Sequence, residues 1–125
     1  MYLKSYKELI VWQKSILLVK EVFILTNMFP NSELYGITAQ MRRAAVSIPS
    51  NIAEGYGRKS RKEYSQACSI AYGSSLELET QLIIAKQLQL AEYKSFQSCE
   101  TLLEEVLRML NVMRRKLLLP EVNNK

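Results

Sequence analysis

A chain of 125 residues with 48% hydrophobic and 23% charged residues has the size and composition of a single soluble globular domain. It contains no histidine, and all twelve acidic residues are glutamate, which excludes a Ser-His-Asp or Cys-His nucleophile system and a histidine-ligated zinc site within one chain. The net charge of +5 is concentrated in residues 42–62, where Arg42, Arg43, Arg58, Lys59, Arg61 and Lys62 face Glu54 alone and the remaining segments sum to zero.

Four glycines and three prolines leave few turns, so the elements are long and helical rather than many short strands. The beginning of the sequence lacks the basic head and apolar core of a signal peptide. Apolar runs reach about four residues, against the roughly 18 needed to span a bilayer. The expected location is the cytoplasm, with no membrane association. Cys68 and Cys99 fall at core-facing helical positions, which reads as buried hydrophobes in a reducing compartment. No metal or other cofactor is expected.

The first predicted helix covers residues 6–27. Leu9, Trp12, Ile16, Val19 and Phe23 repeat every three or four residues as its core stripe. Ile10, Leu17 and Ile24 form a second stripe, and Leu18, Val22 and Leu25 widen the apolar surface. One core needs a stripe of about 100°, so the excess points to a covering partner subunit. Phe29-Pro30-Asn31-Ser32-Glu33 is the first turn, with Asn31 or Ser32 as the cap of a second helix over 33–57. Its inner face is Ile37, Met41, Ala44, Ile48 and Ile52, and Pro49 is expected to kink it. Gly57-Arg58-Lys59-Ser60 is the second turn, and Ser60 with Glu63 matches a capping box. The third helix, 61–88, turns Tyr64, Ala67, Ala71, Ser74, Leu78 and Ala85 inward. The fourth, 94–118, carries Phe96, Cys99, Leu103, Val106, Leu110, Met113 and Leu117. Pro120 ends it, with fraying expected beyond. The predicted fold is all-α, an antiparallel up-down-up-down four-helix bundle.

Residues 40–58 read Gln-Met-Arg-Arg-Ala-Ala-Val-Ser-Ile-Pro-Ser-Asn-Ile-Ala-Glu-Gly-Tyr-Gly-Arg. This segment resembles the signature of the four helix bundle protein family, also called 23S rRNA intervening-sequence (S23) proteins. Val11-Trp12-Gln13, Phe29-Pro30 and Ile70-Ala71 with Gly73-Ser74 extend the likeness over roughly residues 6–90. The resemblance implies a small bundle that assembles as a homopentamer, with no catalytic residues to carry over. The family is also similar to the accessory protein of diversity-generating retroelements, which implies nucleic acid and a reverse-transcriptase-like protein as possible partners.

Folding helices two and three about Lys59 sets Arg43 level with Ser75, Asn51 near Cys68 and Glu54 near Tyr64. The small residues of both helices allow close approach, which would half-bury a polar seam of Gln40, Arg43, Asn51, Glu54 and Glu77, including an Arg43–Glu77 contact. The seam reads as a register or packing device, and an acid–base role for Glu54 and Glu77 is the lesser alternative. Arg58, Lys59, Arg61 and Lys62, with Arg42 about four turns away, form a basic corner. Two readings stand side by side for it, a solvated turn and a phosphate-binding surface. Arg114, Arg115 and Lys116 form a second, weaker cluster that also suits the end of a helix. Tyr56 and Tyr64 flank the corner, where they can stack on bases or pack on the bundle. The functional expectation is a non-enzymatic oligomeric accessory protein that binds RNA, or less favourably DNA, through Arg42, Arg58, Lys59, Arg61 and Lys62. The alternative is a ring-forming protein-interaction module.

Overall fold

The computed structural model describes residues 4–120, and the expected fraying beyond Pro120 lies outside the described residues. Four helices carry the architecture: α1 (Ile10–Asn27), α2 (Ala39–Tyr56), α3 (Arg61–Gln87) and α4 (Gln97–Lys116). No strand occurs among the described residues. Cross-helix contacts run in opposite numerical senses around the bundle. Lys14 of α1 pairs with Glu105 of α4, while Phe29, just past α1, meets Phe96, just before α4, with ring centroids 6.2 Å apart. Between α3 and α4, Ser65 reaches the Arg114 carbonyl and Lys86 pairs with Glu100 at 2.9 Å. The centre holds Leu18, Val22, Leu25, Met41, Ile48, Ile52, Leu78, Phe96, Val106 and Leu110, all under 2% exposed. Each fully buried leucine or isoleucine contributes about 1.5–3 kcal/mol.

Three of the predicted helix starts move, the fourth helix beginning at Gln97 after a 3-10 turn over Tyr93–Phe96. Residues 6–8 form a separate 3-10 turn capped by Ser5, and extended Leu9 breaks the chain before α1. Neither Asn31 nor Ser32 caps α2 through its side chain. A 3-10 turn and a π-helical segment over Leu34–Thr38 precede α2, and Gly36 there adopts φ −104°, ψ −118°, outside the helical region. Helix α2 itself is one continuous helix that includes buried Pro49. As anticipated, Ser60 Oγ accepts from the Glu63 N–H at 3.1 Å and starts α3. After α3, Gln89 takes φ 56°, and the Leu90 N–H reaches the Ala85 carbonyl at 3.1 Å. That is a Schellman-type stop built on glutamine where glycine would be the easier residue.

The core stripe of α1 is also corrected. Val11, Ser15, Leu18, Val22, Leu25 and Thr26 are buried. Trp12 and Val19 only flank the core, and Ile16 and Phe23 are 41% and 37% exposed. The true stripe is turned by one residue, about 100°. Helix α1 is apolar nearly all round, so its own pattern fits more than one phase, and its packing against α2 and α4 selects among them. Two hydroxyls disguise the selected phase. Both are satisfied within the helix, Ser15 Oγ donating to the Trp12 carbonyl (2.7 Å) and Thr26 Oγ1 to that of Val22 (2.8 Å).

Candidate nucleic-acid interface

Helices α2 and α3 pack closely at Gly55. A Cβ on Gly55 would lie 2.6 Å from Ala67 Cβ and 3.0 Å from the Tyr64 ring. Two turns away the Ser47 and Ser74 hydroxyls hydrogen-bond at 2.9 Å. Ser47 with Ser74 and Gly55 with Ala67 differ by about three residues from the register expected around Lys59. Helical side chains lean toward their own N-termini, so each contact joins residues of higher number than backbone height alone implies.

This geometry changes the polar seam. Gln40, Arg43, Glu54 and Glu77 are exposed in the single chain, and only Asn51 is half-buried. Its amide donates to the Ser47 carbonyl (2.8 Å) and hydroxyl (3.0 Å). No Arg43–Glu77 contact forms among the described residues. Glu77 instead accepts from Gln81 at 3.3 Å, and Glu54 pairs with Arg58 one turn on. The two glutamates are therefore engaged separately, with nothing in their surroundings resembling an acid–base pair. The interior polar contact between the helices is Ser47, Asn51 and Ser74.

At the basic corner, Arg58 forms an exposed i,i+4 pair with Glu54, an interaction of about 0.3–0.5 kcal/mol. Lys59 and Lys62 are exposed and form no ion pair or hydrogen bond among the described residues. Arg61 reaches across the bundle and donates from Nη2 to the Lys116 carbonyl at 3.0 Å. One turn further, Ser65 Oγ donates to the Arg114 carbonyl at 2.7 Å. Side chains at the start of α3 thus bond carbonyls at the end of α4, and the Lys116 carbonyl also accepts from the Leu119 N–H at 3.1 Å. The consequence for charge is large. The two basic clusters, more than 50 residues apart in sequence, meet at one end of the bundle through Arg61 and the Lys116 carbonyl, and Lys59, Arg61, Lys62, Arg115 and Lys116 are all exposed there. Arg114 is engaged within the fold, over the Tyr72 ring at 4.5 Å and bonded to Asn111 at 3.0 Å.

Arg42 does not belong to this surface. Its Nε donates to Thr26 Oγ1 and its Nη2 to Asn27 Oδ1, each at 3.0 Å, while the guanidinium lies 4.8 Å from the Phe23 ring centre. It stands about 24 Å from Arg58 at 1.5 Å per residue. The sequence placed it among the phosphate contacts because charge alone was visible, whereas its partners on α1 are set by tertiary packing.

The aromatic groups near the corner and the two buried thiols are structural. Tyr56 and Tyr64 meet edge to face, with centroids 6.1 Å apart. The Tyr64 hydroxyl is buried without a hydrogen-bond partner, and burial pushes its pKa well above the ordinary phenol range. Burial likewise raises Cys68 to about 11 and Cys99 to about 12, which makes them poor nucleophiles at neutral pH. No cluster of potential metal ligands occurs among the described residues, and no helix there is long and apolar enough to cross a membrane.

Comparison with known proteins agrees with this architecture. A family model described as 23S rRNA-intervening sequence protein matches residues 7–112. Among solved structures, the chain is similar to a protein of unknown function from the S23 ribosomal protein family of Bacteroides thetaiotaomicron. The TM-score is 0.78 at 20% identity, over 85% of this chain and 99% of that one. At that identity the likeness speaks for the fold alone. No curated relative matches the sequence.

Proposed function

This chain belongs to the 23S rRNA-intervening sequence protein family, and we propose that it is a non-enzymatic, oligomeric, cytoplasmic accessory protein that holds nucleic acid on the basic end of its bundle. The observation that carries this reading is the junction of the α2–α3 turn with the end of α4. It brings exposed Lys59, Arg61, Lys62, Arg115 and Lys116 to one end of the bundle, with Arg58 in the same turn, which supports a shared basic surface there. Cations spread over such a surface suit a phosphate backbone, whose binding is sequence-tolerant and driven by counterion release. The preference for RNA over DNA leans on the family's description, which names an RNA. Oligomerisation is supported by the outward face of α1, where Leu17 and Ile24 are 51% and 44% exposed. A homopentamer, as the sequence resemblance implies, would repeat the basic end around a ring and multiply weak contacts by avidity. A reverse-transcriptase-like protein remains the candidate protein partner.

Fluorescence anisotropy with short single-stranded RNA and DNA, read from about 50 to 200 mM salt, tests the proposal. Affinity is expected to fall steeply and log-linearly with salt. Absence of binding at about 50 mM salt, with a ring still seen by sedimentation, favours the second reading instead. That reading is a protein-interaction ring without nucleic acid, and the same exposed face of α1 is its support.

A further inference from the structure

Beside the basic end lies a trough of about 860 Å³ between the start of α1 and the last turns of α4. Its floor is apolar: Leu9, Ile10, Met109, Val112 and Met113 line it, with Leu117 at one end. Ile10 and Val112 are 58% and 50% exposed, so two branched side chains stand ready for burial. Arg61, Arg108 and Lys116 border it against a single carboxylate, Glu8. The side chains of Arg108 and Lys116 form no ion pair or hydrogen bond among the described residues.

We infer that this trough docks an amphipathic helical segment of a partner protein, one whose apolar stripe is flanked by acidic side chains. Charge complementarity selects the flanks, because Arg108 and Lys116, whose side chains hold no partner among the described residues, border the floor against one carboxylate, Glu8, and favour a carboxylate-bearing ligand. The floor selects the stripe, since a phosphate backbone gains nothing from covering isoleucine and valine. Length fits as well. Arg108 to Leu117 spans about 14 Å along α4, between two and three helical turns, the reach of anchors at i, i+3, i+4 and i+7. Small-molecule sites enclose most of their ligand, whereas this trough lies open to solvent along its length. Met109 and Met113 give the floor flexible thioethers that adapt to an incoming side chain. This interface is separate from the nucleic-acid proposal in its apolar floor and adjoins it through Arg61 and Lys116.

The test uses the full chain with carbon-13 methionine methyls and a synthetic peptide of about fifteen residues. The peptide carries leucines at helical spacing with glutamates beside them. Binding in the range of about 10–100 μM is expected, moving the Met109 and Met113 methyl signals and leaving Met28 and Met41 in place. Replacing the peptide's glutamates by lysine should weaken binding at least about tenfold. Ile10→Ser combined with Val112→Ser should weaken it as much, since both side chains lose their burial. Both positions are exposed, so the variant's melting curve should match the parent's. The double variant removes no charge, and its unchanged oligonucleotide affinity separates failure here from failure of the nucleic-acid reading. The inference is overturned by any of four results: equal affinity for the lysine peptide, no binding below about 1 mM, Met109 and Met113 shifts on simple dilution of the protein (a second copy fills the trough), or saturation of the same signals by oleate but not by peptide.

Discussion

Two arginines at opposite ends of the bundle do the same local job with different consequences. Arg42 donates to Thr26 and Asn27 in the last turn of α1, and Arg61 donates to the Lys116 carbonyl at the end of α4. Each brings a cation from a neighbouring helix to a helix C-terminus, where the dipole favours it. Arg42 is half-buried, over Phe23 and close to no other member of the basic set. Arg61 is exposed among Lys59, Lys62, Arg115 and Lys116. A cation that ties helices together contributes to stability, while a cluster of exposed cations is available to an anion. The count of positive charges does not distinguish these roles, but burial and the exposed cations Lys59, Lys62, Arg115 and Lys116 at the same end do.

The sharpest way to break that comparison is charge reversal at the exposed end. Changing Lys59, Lys62, Arg115 and Lys116 to glutamate should lower single-stranded RNA affinity by about a thousandfold near 100 mM salt, measured by anisotropy, with little change in thermal midpoint. Next in size is Gly55→Ala, which pushes a methyl group into Ala67 where α2 and α3 meet. It should cost about 2–3 kcal/mol in urea unfolding. Arg42→Met removes two charged hydrogen bonds and the contact with Phe23. A loss of about 1–3 kcal/mol is expected, with RNA affinity unchanged.

Smaller effects sharpen the contrast between packed and exposed groups. Burial raises both thiol pKa values in the folded state. Their contribution to stability is therefore complete below the unfolded value near 9 and is lost as pH rises through about 11–12. Urea midpoints should fall over that window, and Cys68→Ala with Cys99→Ala should flatten the fall. Gln89→Gly should raise stability by about 0.5–1 kcal/mol, because glycine accepts φ 56° without strain.

Much of this was readable from sequence where one face of a helix is apolar and the other is not. Helix α4 is such a case, and Cys99, Leu103, Val106 and Leu110 are buried as expected. The Ser60 cap was legible because it is local. Helix α1 was not, since an all-round apolar helix carries no phase information and its buried Ser15 and Thr26 look like surface residues. The site was half legible. The exposed charges of the α2–α3 turn stood out, but their junction with Arg115 and Lys116 depends on Arg61 and Ser65 reaching α4, more than 45 residues away in sequence. The engagement of Arg42 with α1 was hidden for the same reason, because its partners lie 15 and 16 residues back on another helix.

The central claim is that the exposed end, and no other basic residue, meets phosphate. Its most direct test is the slope of log affinity against log salt for single-stranded RNA. The account predicts that Lys59→Ala with Lys62→Ala lowers the slope by about 0.7 per lost contact and that Arg42→Met leaves it unchanged. An unchanged slope in the lysine variant, or a reduced slope in Arg42→Met, would contradict it.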